Sequence, residues 1–211
     1  MVVEIGSEIR IRDASKELYD WAQENLIIPN PQYRERERRG LWVGNTPKYL
    51  WLYHVDGSDL IVPTGVGKQV RQFLSEKDKI SVHLADNGIL DYKGTIPLYD
   101  YQKDAVEAMQ RTSCGILQSP CGSGKTQMGI ALAAELSRKV LWITHTQDLL
   151  TQSKTRAEQY FPEETLGTIT AGKAQVGSHI TFATVQTLCK MDLDQFRYTW
   201  DVVIVDECHR L

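Results

Sequence analysis

No apolar run in this 211-residue chain approaches the roughly 18 residues that cross a bilayer, and no basic flank leads into an apolar core at the N-terminus. Membrane spanning and secretion are both disfavoured. The expectation is residence in a cytoplasm, that of the host if the chain is phage-encoded. The four cysteines, Cys114, Cys121, Cys189 and Cys208, form no C-x-x-C pair and have no paired histidines beside them, so neither a zinc site nor a disulfide framework is indicated. An excess of positive charge is missing too. With 24 Lys and Arg against 27 Asp and Glu the net charge is -3, and any surface that binds nucleic acid has to be local. The 42% hydrophobic content excludes disorder and suffices for one good core or two small ones.

The strongest signal is Ser119-Pro120-Cys121-Gly122-Ser123-Gly124-Lys125-Thr126. It follows a short apolar run, Cys114 to Gln118, that reads as a buried strand. It opens a segment in which Met128, Ile130, Ala131, Leu132, Ala134 and Leu136 recur at helical spacing. Strand, loop and helix stand in the order a phosphate-binding loop requires, and the match to G-x-x-x-x-G-K-[ST] fails only at Ser119. Gly122 and Gly124 let the backbone curl so that successive N–H groups point at one spot, where the helix adds its positive end. Lys125 would reach the outer phosphates of a polyphosphate, and the Thr126 hydroxyl would ligate Mg²⁺.

The segment before this loop reads as a smaller α+β unit. Residues 2 to 12 alternate as strands with a turn near Gly6, and Ser15 is placed to cap a helix carrying Leu18, Tyr19, Trp21 and Ala22. Between Tyr33 and Lys48 five cations (Arg34, Arg36, Arg38, Arg39, Lys48) face two anions, Glu35 and Glu37, a local net charge of +3. Interleaved with Tyr33, Trp42 and Tyr49, they suit a surface that tracks phosphates and stacks on bases. A solvated charged loop followed by an aromatic strand packing the core fits the same composition. Lys48 to Val55 is a strand on either reading. Pro63 to Gln69 imitates a phosphate loop, but Gln69 cannot replace a metal-binding hydroxyl, and a turn into a helix from Val66 to Leu74 explains it better. A strand over 78 to 84 and a linker from Asp86 to Pro97 follow, with the domain boundary near residue 95.

Beyond the boundary Gln102 precedes a helix; its carboxamide is of the kind that pairs bidentately with adenine. Lys139 to Thr144, Thr165 to Thr170, Ser178 to Phe182 and Asp201 to Val205 read as strands, with helices over His145 to Tyr160 and Thr184 to Lys190 between them. That alternation implies a mostly parallel sheet with helices on both faces and a site at the strand C-termini. The last strand ends in Asp206-Glu207, where Asp206 would hold Mg²⁺ and Glu207 would orient and deprotonate a water.

Taken together, Ser-Pro-Cys-Gly-Ser-Gly-Lys-Thr, Asp-Glu-Cys-His and the preceding Tyr101-Gln102 resemble the first RecA-like domain of superfamily 2 DExH-box helicases and DNA translocases, from about Leu98 onward. The resemblance implies an α/β, RecA-like P-loop NTPase domain over 96–211, preceded by a small α+β domain over 1–95. It implies ATP and Mg²⁺ as cofactors, held by Gln102, the loop from Ser119 to Thr126, and Asp206 and Glu207. It also implies that His209 couples the ATP site to a nucleic-acid track. The stretches beginning at Thr144 and Thr181 are similar to the family's motifs Ia and Ic, which places Thr144 and Thr184 along that single-strand track. The N-terminal part resembles the small duplex-binding domain of XPB-like and UvsW-like helicases, which favours the nucleic-acid reading of Tyr33, Arg34, Arg36, Arg38, Arg39 and Lys48.

Because the chain stops two residues after His209, before a Ser-Ala-Thr motif and a second RecA-like domain, it is expected to be part of a longer motor. Helicase or translocase in repair or recombination is the leading expectation. The motor of a restriction enzyme, an ATP-dependent DNA-binding switch and a module with a vestigial motor half remain alternatives.

Overall fold

The computed structural model describes residues 1–170 and 172–210, in two compact units, Met1–Leu84 and Ala85–Leu211. In the first, alternating apolar and charged residues form β1 (Val2–Ile5) and β2 (Glu8–Arg12), and Ser15 caps α1 (Lys16–Asn25) by accepting from the Leu18 amide. β3 (Ile27–Pro29) and α2 (Pro31–Arg38) follow, then β4 (Tyr49–Trp51), β5 (His54–Asp56), β6 (Asp59–Pro63), α3 (Gly67–Arg71) and β7 (Lys79–Val82). Five strands form one sheet in the order β5-β6-β2-β1-β7, antiparallel except for β1 beside β7. Val3, Ile9, Ile11, Leu60 and Val62 make its core with Leu18 and Ala22 of α1 and Val70 of α3.

Two expectations for this unit need revision. Lys48 to Val55 is not one strand: β4 pairs with β3 in a separate two-stranded ribbon, while β5 joins the main sheet. The chain changes partner at Leu52, whose amide still donates to Leu26 O at 2.8 Å. The basic stretch is a helix, α2, rather than a loop. Asn30 caps it by accepting from Gln32 N at 3.0 Å, and Pro31 fills the first position, where no N–H is needed.

The second unit contains α4 (Asp100–Gln110), α5 (Lys125–Leu136), β8 (Val140–Thr144), α6 (Gln147–Glu158), β9 (Leu166–Thr170), β10 (Lys173–Gln175), β11 (Ile180–Thr184), α7 (Val185–Leu188) and β12 (Val202–Val205). The sheet order is β10-β9-β11-β8-β12, all parallel except β10 on β9. Strands buried on both faces read as continuous apolar runs, and β8 and β11 are such runs. Trp142 and Phe182 pack one face against Ile130 and Ala133 of α5 and Leu150 and Ala157 of α6; Leu141, Ile169, Ala183 and Leu188 pack the other. Gly129 lets Trp142 lie directly on α5, since a Cβ there would sit 2.6 Å from the indole ring. Ala171, expected in the turn between β9 and β11, and Leu211 lie outside the described residues.

The buried strand expected over Cys114 to Gln118 is absent. The segment joins no ladder, and Ile116 is 84% exposed. A strand needs a neighbour to satisfy its amides and carbonyls, and among the described residues β12 pairs with β8 alone, so no partner stands beside this segment. The loop that follows keeps its shape through α5 and α4 instead.

Candidate functional site

Gly122 and Gly124 lie in the left-handed region, φ 79° and 81°, and Gly124 is the residue from which α5 starts. A Cβ on Gly124 would come within 2.5 Å of the Gln102 amide, whereas around Gly122 there is open space. The loop therefore needs glycine at 124 for its backbone angle, a side chain there would also displace the Gln102 amide, and a cradle of open space is left beside 122. The Ser119 and Ser123 hydroxyls share a hydrogen bond of 2.7 Å, which closes the loop across its width. Lys125 Nζ donates to the carbonyls of Ser119 and Pro120, both at 3.3 Å, so its charge sits over the cradle. The first amides of α5 have no intrahelical acceptor and add a positive end at the same place.

Asp206 reaches this point from β12. Its amide donates to Ile143 O at 2.9 Å, prolonging the β12–β8 pairing, and Asp206 lines the same cavity as Thr126 and Lys125. Burial raises its pKa, the adjacent Glu207 charge adds to that, and Lys125 and Thr126 pull the other way. Such a carboxylate is better satisfied by a cation than by the protein alone. Glu207 has φ 55°, uncommon for a residue with a side chain and costing about 1 kcal/mol or more. That backbone turn brings Glu207 Oε2 to 3.3 Å from His209 Nδ1.

Asp206 and Glu207 line one cavity of about 640 Å³ with Gln102, Cys121, Gly122, Gly124, Lys125 and Thr126. Sequence reading missed several of its walls. Leu149, Gln152 and Arg156 line it from one face of α6; the first two fall in the stretch beginning at Thr144 that reads as part of a nucleic-acid track, and Arg156, outside any motif, adds a cation. Tyr99 and Tyr101 stack at 5.9 Å with nearly parallel rings, and Tyr101 donates to Ser123 O at 3.0 Å. Gln102 is engaged at both ends: Oε1 accepts from Tyr99 N at 2.9 Å and Nε2 donates to Ser123 O at 2.9 Å. One amide hydrogen and one lone pair remain for a base. Gln127 offers more, since Nε2 donates to Pro97 O and to the Tyr160 hydroxyl while the buried Oε1 has no partner.

A purine nucleoside polyphosphate fits this donor set. The orphaned Gln127 acceptor suits an exocyclic amino group, the cradle and Lys125 suit phosphates, and the hard oxygens of Thr126 and Asp206 suit a small divalent cation. Among the described residues no group of three or more His, Cys, Asp or Glu could hold a metal by itself, so a cation here would share its ligands with the phosphates.

The nucleic-acid candidates divide. Arg34, Arg36, Arg38, Arg39 and Lys48 are exposed and Tyr33 is half-buried, on α2 and the chain that follows it. Arg39 pairs with Glu35 at 2.6 Å and Arg36 donates to Trp42 O at 3.3 Å, while Arg34 and Arg38, one turn apart, make no ion pair among the described residues. Thr144 and Thr184 do not offer side chains to a ligand. They are 0% and 5% exposed at the ends of neighbouring strands. The Thr144 hydroxyl donates to Thr146 O, and Thr184 Oγ1 caps α7 by accepting from Thr187 N. Both hydroxyls bond locally, as buried hydroxyls do, so any contribution of these stretches to a nucleic-acid track would come from their backbone or their neighbours.

A glycine loop opening a helix, with paired carboxylates at the end of a parallel strand across the same cavity, defines a RecA-like P-loop nucleotide-binding domain. The chain belongs to the family described as type III restriction enzyme, res subunit, which matches residues 95–211. Among curated proteins it is similar to the DNA 3'-5' translocase XPB2 of Sulfurisphaera tokodaii, 28% identical over 152 residues, 68% of this chain and 33% of that protein. The chain thus spans about a third of that relative's length. Two solved structures of the bacteriophage T4 UvsW helicase share its fold. One has a TM-score of 0.64 at 21% identity, covering 99% of this chain and 83% of that one. The other has a TM-score of 0.66 at 21% identity, covering 99% and 48%. Among the described residues no helix is long and apolar enough to cross a membrane.

Proposed function

We propose that this chain is the DNA-engaging and ATP-binding part of an ATP-driven DNA helicase or translocase. Residues 1–95 would bind duplex DNA, and residues 96–211 would form the first RecA-like domain, half of an ATP site completed by a second such domain. The observation that carries the reading is the shared cavity, which Gly122, Gly124, Lys125 and Thr126 of the phosphate loop line together with Asp206 and Glu207 at the end of β12. Lys125 and the amides of α5 would hold the outer phosphates, and Gln102, Gln127 and Tyr101 would face the base. Bound Mg²⁺ supplies charge neutralisation at the transferring phosphoryl group. Glu207 would take the proton of the attacking water, with His209 steadying its carboxylate. The alternative of a restriction-enzyme motor has the family's description in its favour; the UvsW likeness, which runs through residues 1–84 as well, favours the helicase layout.

Asp206→Asn tests the ATP site. The variant removes a partly buried charge beside Glu207, so the ligand-free chain should melt at a higher temperature than wild type while Mg²⁺ no longer strengthens ATP binding. Titration of ATP with and without Mg²⁺ reads the second effect, and an undiminished Mg²⁺ dependence would remove Asp206 from the metal site. The DNA surface is tested by Arg34→Ala with Arg38→Ala. Duplex affinity should fall, and the slope of log K against log salt should flatten by about 0.9 for each phosphate that the protein no longer neutralises. Equal affinity and slope would make α2 a solvated helix.

A further inference from the structure

The aromatic strand near residue 50 does not pack into the core. β4 alternates, so Tyr49 and Trp51 project from the same face of the β3–β4 ribbon, and they are 47% and 64% exposed. Only Tyr53 is buried, and its ring stands 5.8 Å from that of Trp51, bracing the indole from one side. Lys48 Nζ lies 5.9 Å from the Tyr49 ring centroid. Solvent-facing rings two residues apart on a strand are about 7 Å apart, a spacing that successive bases of a stretched single strand can match.

The ribbon is fastened to the basic helix. Asn30, 4% exposed, caps α2 with its side-chain oxygen. Its amide nitrogen donates to Pro47 O at 2.8 Å, and its backbone amide donates to Lys48 O at 2.9 Å. Arg34 and Arg38 on α2 are therefore carried by the same small body as Tyr49 and Trp51. Exposed aromatics and arginine also mark protein interfaces, but lysine is depleted there, so Lys48 beside Tyr49 is the cation that separates the two readings. Here a cation lies beside Tyr49, and α2 carries two arginines outside any ion pair among the described residues, which suits a ligand with both planar faces and phosphates.

We propose that Tyr49 and Trp51 form a stacking platform for unpaired bases, so that residues 1–84 engage single-stranded DNA beside the duplex contact made by α2. This rests on the nucleic-acid reading of the N-terminal part. The duplex would sit against α2, and bases released at its end would stack on β4.

The test uses the 211-residue chain, fluorescence anisotropy of labelled oligo(dT) and of a labelled blunt duplex, and Tyr49→Ala, Trp51→Ala and their phenylalanine counterparts. Each alanine variant should weaken oligo(dT) binding about 5- to 100-fold, leave duplex affinity within about twofold and leave the salt slope unchanged, because stacking releases no counterions. Tyr49→Phe and Trp51→Phe keep a ring and should bind oligo(dT) nearly as wild type does; these serve also if an alanine variant fails to fold. Wild type that binds DNA, with alanine variants unchanged or equally weakened on both probes, would overturn the platform and leave the duplex reading standing. Wild type that binds neither probe would remove both. Loss of self-association in Trp51→Ala by sedimentation, with oligo(dT) binding intact, would assign the face to a second copy of the chain and overturn the proposal.

Discussion

Lys125→Ala weakens ATP binding by roughly 10- to 150-fold, the expected result of deleting one or two charge-assisted hydrogen bonds to phosphate at about 1.5–3 kcal/mol. The ammonium group stands at the mouth of the loop and, among the described residues, donates to the Ser119 and Pro120 carbonyls. Those carbonyls are neutral acceptors that reach water when the side chain is cut back. The fold should therefore tolerate the change, and the melting temperature of the ligand-free chain should stay within a few degrees of wild type. The measurement is calorimetric titration of ATP with Mg²⁺ into both proteins. Unchanged affinity would mean that phosphates do not lie against Lys125, and the loop assignment would fall.

Glu207→Gln should separate binding from chemistry. Glu207 lines the cavity beside Asp206 but points its carboxylate at His209, so it is placed to accept a proton rather than to hold the loop. A glutamine keeps the size and the acceptor oxygen and loses the base. Removing a general base typically costs about 10² to 10⁴ in rate, whereas ATP affinity should change little. Single-turnover hydrolysis, with protein in excess over radiolabelled ATP, reads the chemical step even where multiple turnover is slow. A wild-type rate in this variant would require another base, and a parallel loss of affinity would make Glu207 a ligand of the nucleotide.

Slow turnover is the expectation for the chain by itself. The described cations that line the cavity are Lys125 and Arg156, one on the loop and one on α6. P-loop motors draw about 10³ to 10⁵ of their rate from an arginine supplied across the site. In the proposed longer protein that cation would come from the second domain.

Much of the second unit was legible because its signals are local. Apolar runs placed β8, β9, β11 and β12 to within two residues, most strongly for β8 and β11, which are buried on both faces. The phosphate loop is equally local: Gly124 must adopt φ 81°, and no neighbour can relieve that demand. Cys114 to Gln118 shows the limit. Its apolar residues suit a buried strand, but whether it becomes one depends on a partner that its own sequence does not contain.

The N-terminal part was harder to read, because its composition permitted two structures with opposite functions. Cations interleaved with aromatics could be a solvated loop beside a core strand, or a ligand surface. Burial alone separates them, and burial is a property of the packed chain. By itself the sequence determined the chemistry available: which residues can turn left-handed, carry phosphate, ligate a cation or stack on a base. Only tertiary structure decided which are presented. It buried Thr144 and Thr184 at adjacent strand ends, turned Tyr49 and Trp51 outward, brought Arg156 into the cavity from α6, and set Thr126 and Asp206 on the same cavity wall. Each of those outcomes depends on contacts between residues far apart in the chain, which close only when sheet and helices pack.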